Sequence, residues 1–177
     1  MIKIEIYPLI GIKIENIELI KFGVSKSKII KILGTPNIRF NEVDFNYTQY
    51  NLNIFFDEND EVNFFGFYYG HLLRNTIISV YRINPFQIGS EELVKILKEK
   101  NNGYFENFDE EYTYLFYNIS LGIWKQYTVA DIENQIKFAK YEGIYEIEKK
   151  YLIQDLEMAK NYWEIGIGKK DFYQSKI

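Results

Sequence analysis

No cysteine occurs among the 177 residues. That excludes a disulfide framework, a thiolate nucleophile and a cysteine-bound zinc site, and it fits a reducing compartment. Histidine occurs once, as His71 in the stretch Tyr69-Gly70-His71-Leu72. A Ser-His-Asp triad would have to use that residue, and a ribonuclease built on paired histidines is ruled out by the count. Proline is scarce and no Pro/Ser-rich linker divides the chain, which predicts one compact domain over 1–177. Long apolar runs are also missing. Nothing approaches the ~20 apolar residues of a membrane-spanning helix. The opening MIKIEIYPLIGIKI alternates apolar and polar residues, unlike the apolar core of a signal peptide. A cytoplasmic protein with no membrane partner is the expectation. Basic residues are not in excess either: 21 Lys and Arg face 25 Asp and Glu, for a net charge of −4. Direct nucleic-acid binding calls for a basic patch, whereas mild acidity suits a basic protein partner. The glycines form neither GxxxxGK(S/T) nor GxGxxG, so no phosphate-cradling loop and no cofactor is expected.

What the chain does have is aromatic residues, 18% of the total, most of them in alternating runs that favour sheet. Ile2, Ile4 and Ile6 alternate with polar residues as a half-buried strand. Residues 15–22 read as an irregular approach to a helix. Ser25 is a good N-cap for that helix, from about Lys26 to Leu33. Val24 and Ile29 stand at staple positions, and Gly34 and Pro36 stop it. Val43, Phe45 and Tyr47, then Leu52, Ile54 and Phe56, then Val62 to Tyr69 predict an antiparallel meander. Ile77 to Ile83 is a further strand candidate.

The stretch FGVSKSKIIKIL, residues 22–33, aligns without a gap on FQIGSEELVKIL, residues 86–97. The second stretch predicts a helix from about Glu91 to Lys100, capped by Gly89 or Ser90, with Glu91 and Glu92 near its positive end. Tyr112, Tyr114 and Phe116 then alternate as Val43, Phe45 and Tyr47 do, and Leu121 and Ile123 stand where Leu52 and Ile54 do. The helices are offset by 64 positions and the strands by 69, an insertion of five residues. Two helix-plus-meander units, about 22–69 and 86–127, follow from this spacing. Thr128 with Asp131 resembles a capping box, with Asp where Glu or Gln is usual, ahead of an apolar helical spacing at Val129, Ile132, Ile136 and Ala139. Gly143 interrupts, and Tyr145, Leu152, Leu156 and Ala159 continue, giving a helical part over 128–163. Residues 163–168 alternate as a last strand. The expected class is α+β: an antiparallel sheet from the two units, with C-terminal helices.

No catalytic constellation stands out. Asp57, Asn59 and Glu61 alternate like the start of a calcium loop, but Val62 replaces its glycine and Tyr68 its closing glutamate, so a hairpin turn is the better account. Two acidic groups remain: Asp57, Glu58, Asp60 and Glu61 in that turn, and Glu106, Asp109, Glu110 and Glu111 on an expected loop beside Tyr112 and Tyr114. Acidic side chains steer a basic partner and aromatic ones anchor it, so these ten residues are the candidate contact surface. A small metal-independent enzyme using Asp, Glu and Tyr, or a scaffold module in a larger assembly, are the alternatives.

The unit FGVSKSKIIKILGTP with the meander ending Ile54-Phe55-Phe56-Asp57 resembles the helix-then-strands unit of the outer-membrane assembly lipoprotein BamE. Two such units in tandem resemble the architecture of β-lactamase inhibitory protein. The chain lacks the lipid-attachment cysteine of the first and the cysteine pair of the second. The whole is similar to immunity proteins of bacterial polymorphic toxin systems, including contact-dependent growth inhibition. That resemblance implies a cytoplasmic inhibitor that covers the active site of one cognate toxin domain, most plausibly a basic RNA-cleaving nuclease.

Overall fold

The computed structural model describes residues 1–39, 44–68, 76–109 and 111–174. His71, and with it Tyr69, Gly70 and Leu72, lies outside the described residues, as do Val43 and Glu110. The described elements run β1 (Ile2–Tyr7), β2 (Gly11–Ile14), β3 (Leu19–Lys21), α1 (Lys26–Leu33), β4 (Ile38–Arg39), β5 (Asp44–Tyr47), β6 (Leu52–Phe56), β7 (Val62–Tyr68), β8 (Thr76–Val80), α2 (Ser90–Asn101), β9 (Phe105–Asp109), β10 (Thr113–Phe116), β11 (Leu121–Trp124), α3 (Val129–Tyr141), α4 (Tyr145–Ala159) and β12 (Glu164–Gly168). The class is α+β with C-terminal helices, as the periodicities predict.

The strands form two sheets. The smaller has the order β3-β2-β1-β8, with β1 antiparallel to β2 and parallel to β8. Its alternation puts Ile4, Ile6, Ile12, Ile14, Ile20, Ile78 and Val80 on one buried face. The stretch expected to be irregular, 15–22, contains β3. Its pairing is set by Ile12 facing Ile20, a period-two register too short to show in the sequence. Gly11 sits at the tightest point of this sheet. Its φ is +146°, and a Cβ there would stand 2.8 Å from Lys21 Cα and closer still to Ile20 O.

The larger sheet has the order β4-β5-β6-β7-β12-β11-β10-β9, with every neighbouring pair antiparallel. The last strand of the chain therefore lies in the middle. It joins the meander β4 to β7 to the meander β9 to β11. Gly66 on β7 faces Gly166 on β12, and Gly166 faces Gly122 on β11. These three glycines make a bare strip on the outer face, where the Phe64 ring and the Tyr173 hydroxyl lie. The hydroxyl donates to Gly166 O at 3.1 Å. The inner face carries Phe45, Tyr47, Ile54, Phe65, Phe67, Phe116, Ile123, Ile165 and Ile167. One continuous apolar cluster joins it to Ile29 and Leu33 of α1, to Leu93, Val94 and Leu97 of α2, and to the smaller sheet.

The segments α1 with β4–β7 and α2 with β9–β12 differ most at one connection. Between β6 and β7 the chain turns over residues 57–61. Between β11 and β12 it runs through 125–163 and makes the hairpin α3–α4. Trp163 N–H donates to Trp124 O at 2.8 Å, so the strand ends meet as they would across a tight turn. The capping box at Thr128 is present in both directions: Thr128 N–H donates to Asp131 Oδ2 at 2.6 Å, and Asp131 N–H to Thr128 Oγ1 at 3.2 Å. α3 ends in a Schellman motif, with Gly143 at φ +74° and Ile144 N–H donating to Ala139 O at 3.0 Å. α3 and α4 pack chiefly on each other. Their buried residues Ile132, Ala139, Leu152 and Ala159 stand apart from the main apolar cluster.

Candidate functional site

The strand register places the two acidic groups. β7 begins, and β12 ends, at the end of the large sheet where Phe64 faces Gly168. β11 begins there, and β10 ends there, through Leu121 facing both Ile167 and Phe116. The turn 57–61 lies at that end, and the β9–β10 turn lies at the opposite end. The described members of the ten residues proposed from the sequence are therefore divided between the two ends of the sheet.

At the first end two of the acids, Asp57 and Asp60, are occupied within the fold. Asp57 accepts Asn59 N–H at 3.0 Å and Glu61 N–H at 3.1 Å, and pairs with Lys169 Nζ at 2.8 Å. Asp60 pairs with Lys26 at 3.2 Å. Glu58 and Glu61 are exposed. The hydrogen bond from Lys169, with the turn amides behind it, holds the Asp57 carboxyl below its ordinary 3.8 against a smaller opposing effect of burial. The ionised form thus stabilises the fold fully above the ordinary value, and this contribution is lost as pH falls through the lower folded value. Asp57→Asn is expected to cost about 1 kcal/mol at neutral pH. In urea titrations the gap to wild type should close at a pH where the Asp57 carboxyl is protonated in both the folded and the unfolded chain.

At the second end, Asp109 is the last residue of β9, a strand where the sequence suggested a loop. Glu106, Asn107 and Asp109 interrupt its apolar pattern, so only pairing with β10 reveals it. Glu106 faces Leu115 near the start of β9, toward the first end, and accepts the Tyr117 hydroxyl, while Asp109 and Glu111 are exposed around the turn at the second. Tyr112 and Tyr114 are half-buried. The Tyr112 hydroxyl donates to Asp131 Oδ2 at 2.5 Å, which lowers the Asp131 pKa and raises that of the tyrosine. Tyr114 stacks on Phe105 and Phe116 and meets Tyr162 edge-on.

The same end holds a cavity of about 710 Å³ between the start of α2, the start of α3 and the end of α4. Glu91, Glu92, Glu111, Tyr114, Lys125 and Tyr162 are among its lining residues. Ser90 ties two of its walls together. Its N–H and its Oγ both donate to Lys160 O, at 3.1 and 2.8 Å. Lys125 is only 4% exposed. Its Nζ lies 3.5 Å from Ser90 Oγ and 5.2 Å from the centre of the Tyr162 ring. Among the described residues it has no carboxylate within ion-pair distance, and burial pushes its pKa down. The Tyr162 hydroxyl donates to Glu111 O at 3.1 Å, and burial pushes its own pKa up. A Ser–Lys pair can act as a nucleophile and its base. Here the Ser90 proton is directed at Lys160 O, away from Lys125, so the geometry serves binding better than attack. No group of three or more His, Cys, Asp or Glu able to hold a metal ion occurs among the described residues.

Sequence reading missed Lys125 and Tyr162. A signal for Lys125 was present: it continues the inward parity of Leu121 and Ile123, and a lysine at an inward position is unusual. A second feature it missed is on the hairpin. Phe138, Tyr141, Ile147 and Tyr151 are 62%, 86%, 79% and 67% exposed. On each helix they lie off the buried stripe, three or four residues apart. A hairpin needs one apolar stripe for its own packing; these large apolar side chains stand outside it.

The chain matches no family model, no curated protein and no solved structure at a significant level. No helix of the described residues is long and apolar enough to cross a membrane.

Proposed function

We propose that this protein acts by binding, as an immunity protein that covers the active site of a cognate bacterial toxin domain, with a basic RNA-cleaving nuclease the best-fitting toxin. The observation that carries this reading is the outer apolar face of α3–α4. Large apolar side chains kept in water are costly in solubility and are usual where a partner docks. Aromatic anchors supply most of the energy at such interfaces, and surrounding charges set the encounter rate. Glu91, Glu92, Asp109 and Glu111 are exposed at the end of the sheet from which the hairpin rises, a suitable acidic flank for a basic partner. The net charge of −4 has the same sign.

This reading also gives the architecture a history. We take the halves as copies of one helix-plus-meander unit, with α3–α4 inserted where the first copy keeps the five-residue turn. The shared scaffold then holds the fold, and the insertion carries the specificity.

Coexpression with the toxin encoded by the adjacent gene tests the proposal. A one-to-one complex that abolishes toxin activity and restores growth is the expected result. Toxin that stays active in the presence of excess protein would refute it. Reversing Asp109 and Glu111 to lysine should weaken the complex at least tenfold, ~1.4 kcal/mol, chiefly through slower association. Stopped-flow association rates at low and high salt would check this.

A further inference from the structure

Lys125 poses a problem that the partner reading leaves open. A buried ammonium is costly unless a counter-charge accompanies it. Lys125 is almost wholly buried; among the described residues it has a hydroxyl at the limit of hydrogen bonding and an aromatic face, and Glu111 and Asp131 act on it only through space, beyond ion-pair distance. It nevertheless lines a cavity whose volume is in the range of small-molecule sites. Two further donors lie at the same place. No side chain caps α2, and the first turn of a helix leaves its amides outside the intrahelical ladder, here those of Glu91 and Glu92.

These features call for an anionic group, but the rest of the lining restricts which one. Glu91, Glu92 and Glu111 also border the cavity. A phosphate, with two charges, would meet three carboxylates against two lysines, and Lys160 is already paired with Glu157 at 2.6 Å. A simple carboxylate would leave the glutamates unanswered. A ligand with both charges answers both. The remaining wall is Val94, Val129, Ala159, Tyr114 and Tyr162, which suits an apolar or aromatic body.

We propose that this cavity binds a small zwitterion of the α-amino-acid type. Its carboxylate sits on Lys125 Nζ and the first-turn amides of α2. Its ammonium faces Glu111 and Glu92, and its apolar side chain lies against Tyr162 and Val94. The site is separate from the outer face of the hairpin, and the proposal stands whether or not a toxin is the partner.

Thermal denaturation of the full chain with each common amino acid at about 10 mM tests it, with phenylacetate and phenethylamine as single-charge probes. An apolar or aromatic amino acid is expected to raise the Tm by about 5 °C or more, as saturating ligand does for a chain of this size. Each single-charge probe should shift it by less than half as much. Lys125→Met removes a buried charge that has no carboxylate partner, so it should fold with an unchanged or raised Tm and show no response to amino acids. Glu111→Gln should keep the fold and lose the preference for phenylalanine over phenylacetate. The site is overturned if no amino acid shifts the wild-type Tm, if Lys125→Met responds as wild type does, or if phenylacetate matches phenylalanine on the wild-type chain. Should Lys125→Met fail to fold, the Glu111→Gln comparison decides: an unchanged preference overturns the proposal.

Discussion

Replacing Gly11 by alanine is expected to cost about 3 kcal/mol or more, lowering the Tm by roughly 6–12 °C for a chain of this length. Two costs combine. The backbone at φ +146° is one that L-residues rarely adopt, and the added Cβ would press on the backbone of Ile20 and Lys21. Backbone cannot turn aside as a flexible side chain can, so β2 and β3 would have to separate. Ile12 faces Ile20 next to this point, and both are fully buried. Gly143→Ala is the matched control. Its φ is +74° and no atom lies within 4 Å of the position a Cβ would take. Only the conformational cost remains there, ~1–2 kcal/mol. Urea denaturation of both variants separates the two contributions. Equal losses would show that the close approach at Gly11 does not exist.

The second large effect concerns binding. Changing Phe138, Tyr141, Ile147 and Tyr151 together to serine should weaken the proposed toxin complex about 100-fold or more, ~2.7 kcal/mol. All four side chains are mostly in solvent. The variant should therefore keep the wild-type melting temperature within a few degrees, since exposed substitutions of this kind change stability by little. Calorimetric titration measures the affinity, and thermal denaturation measures the fold. Loss of both together would mean that these residues serve hairpin stability, and would remove the support they lend to a docking face.

Much of the scaffold was readable because periodicity encodes it. α1 falls at Lys26–Leu33, where its Ser25 cap and Gly34 stop place it, and the Ser25 hydroxyl accepts Lys28 N–H at 3.4 Å. The alternation of β6 marks its buried face directly, with Leu52, Ile54 and Phe56 buried. β9 was not readable. An edge strand with Glu106, Asn107 and Asp109 on it has no apolar rhythm, and it forms because β10 offers hydrogen bonds on that side. The central place of β12 was equally hidden. Its alternating residues announce a strand, but nothing local says that Gly166 will stand between Gly66 and Gly122.

The site was less legible than the fold, for a physical reason. A composition-based argument counts charges without knowing which are already paired. Asp57 and Asp60 look like free acids in sequence, but long-range contacts to Lys169 and Lys26 use them within the structure. Tyr112 and Tyr114 look like anchors, but the sheet and Asp131 hold them. Lys125 looks like one lysine among many until the ends of α2 and α4 close over it. Phe138 and Tyr151 fall outside the apolar stripe read from the sequence, and only the pairing of the helices shows that they stay in solvent.

Hydrogen–deuterium exchange on the complex with the adjacent-gene toxin tests the central claim most directly. Slowed exchange over α3–α4 and the 109–112 turn, with the smaller sheet unaffected, is the predicted result. Protection confined to the smaller sheet or to the outer face around Phe64 and Tyr173, with α3–α4 exchanging as in the free protein, would contradict it.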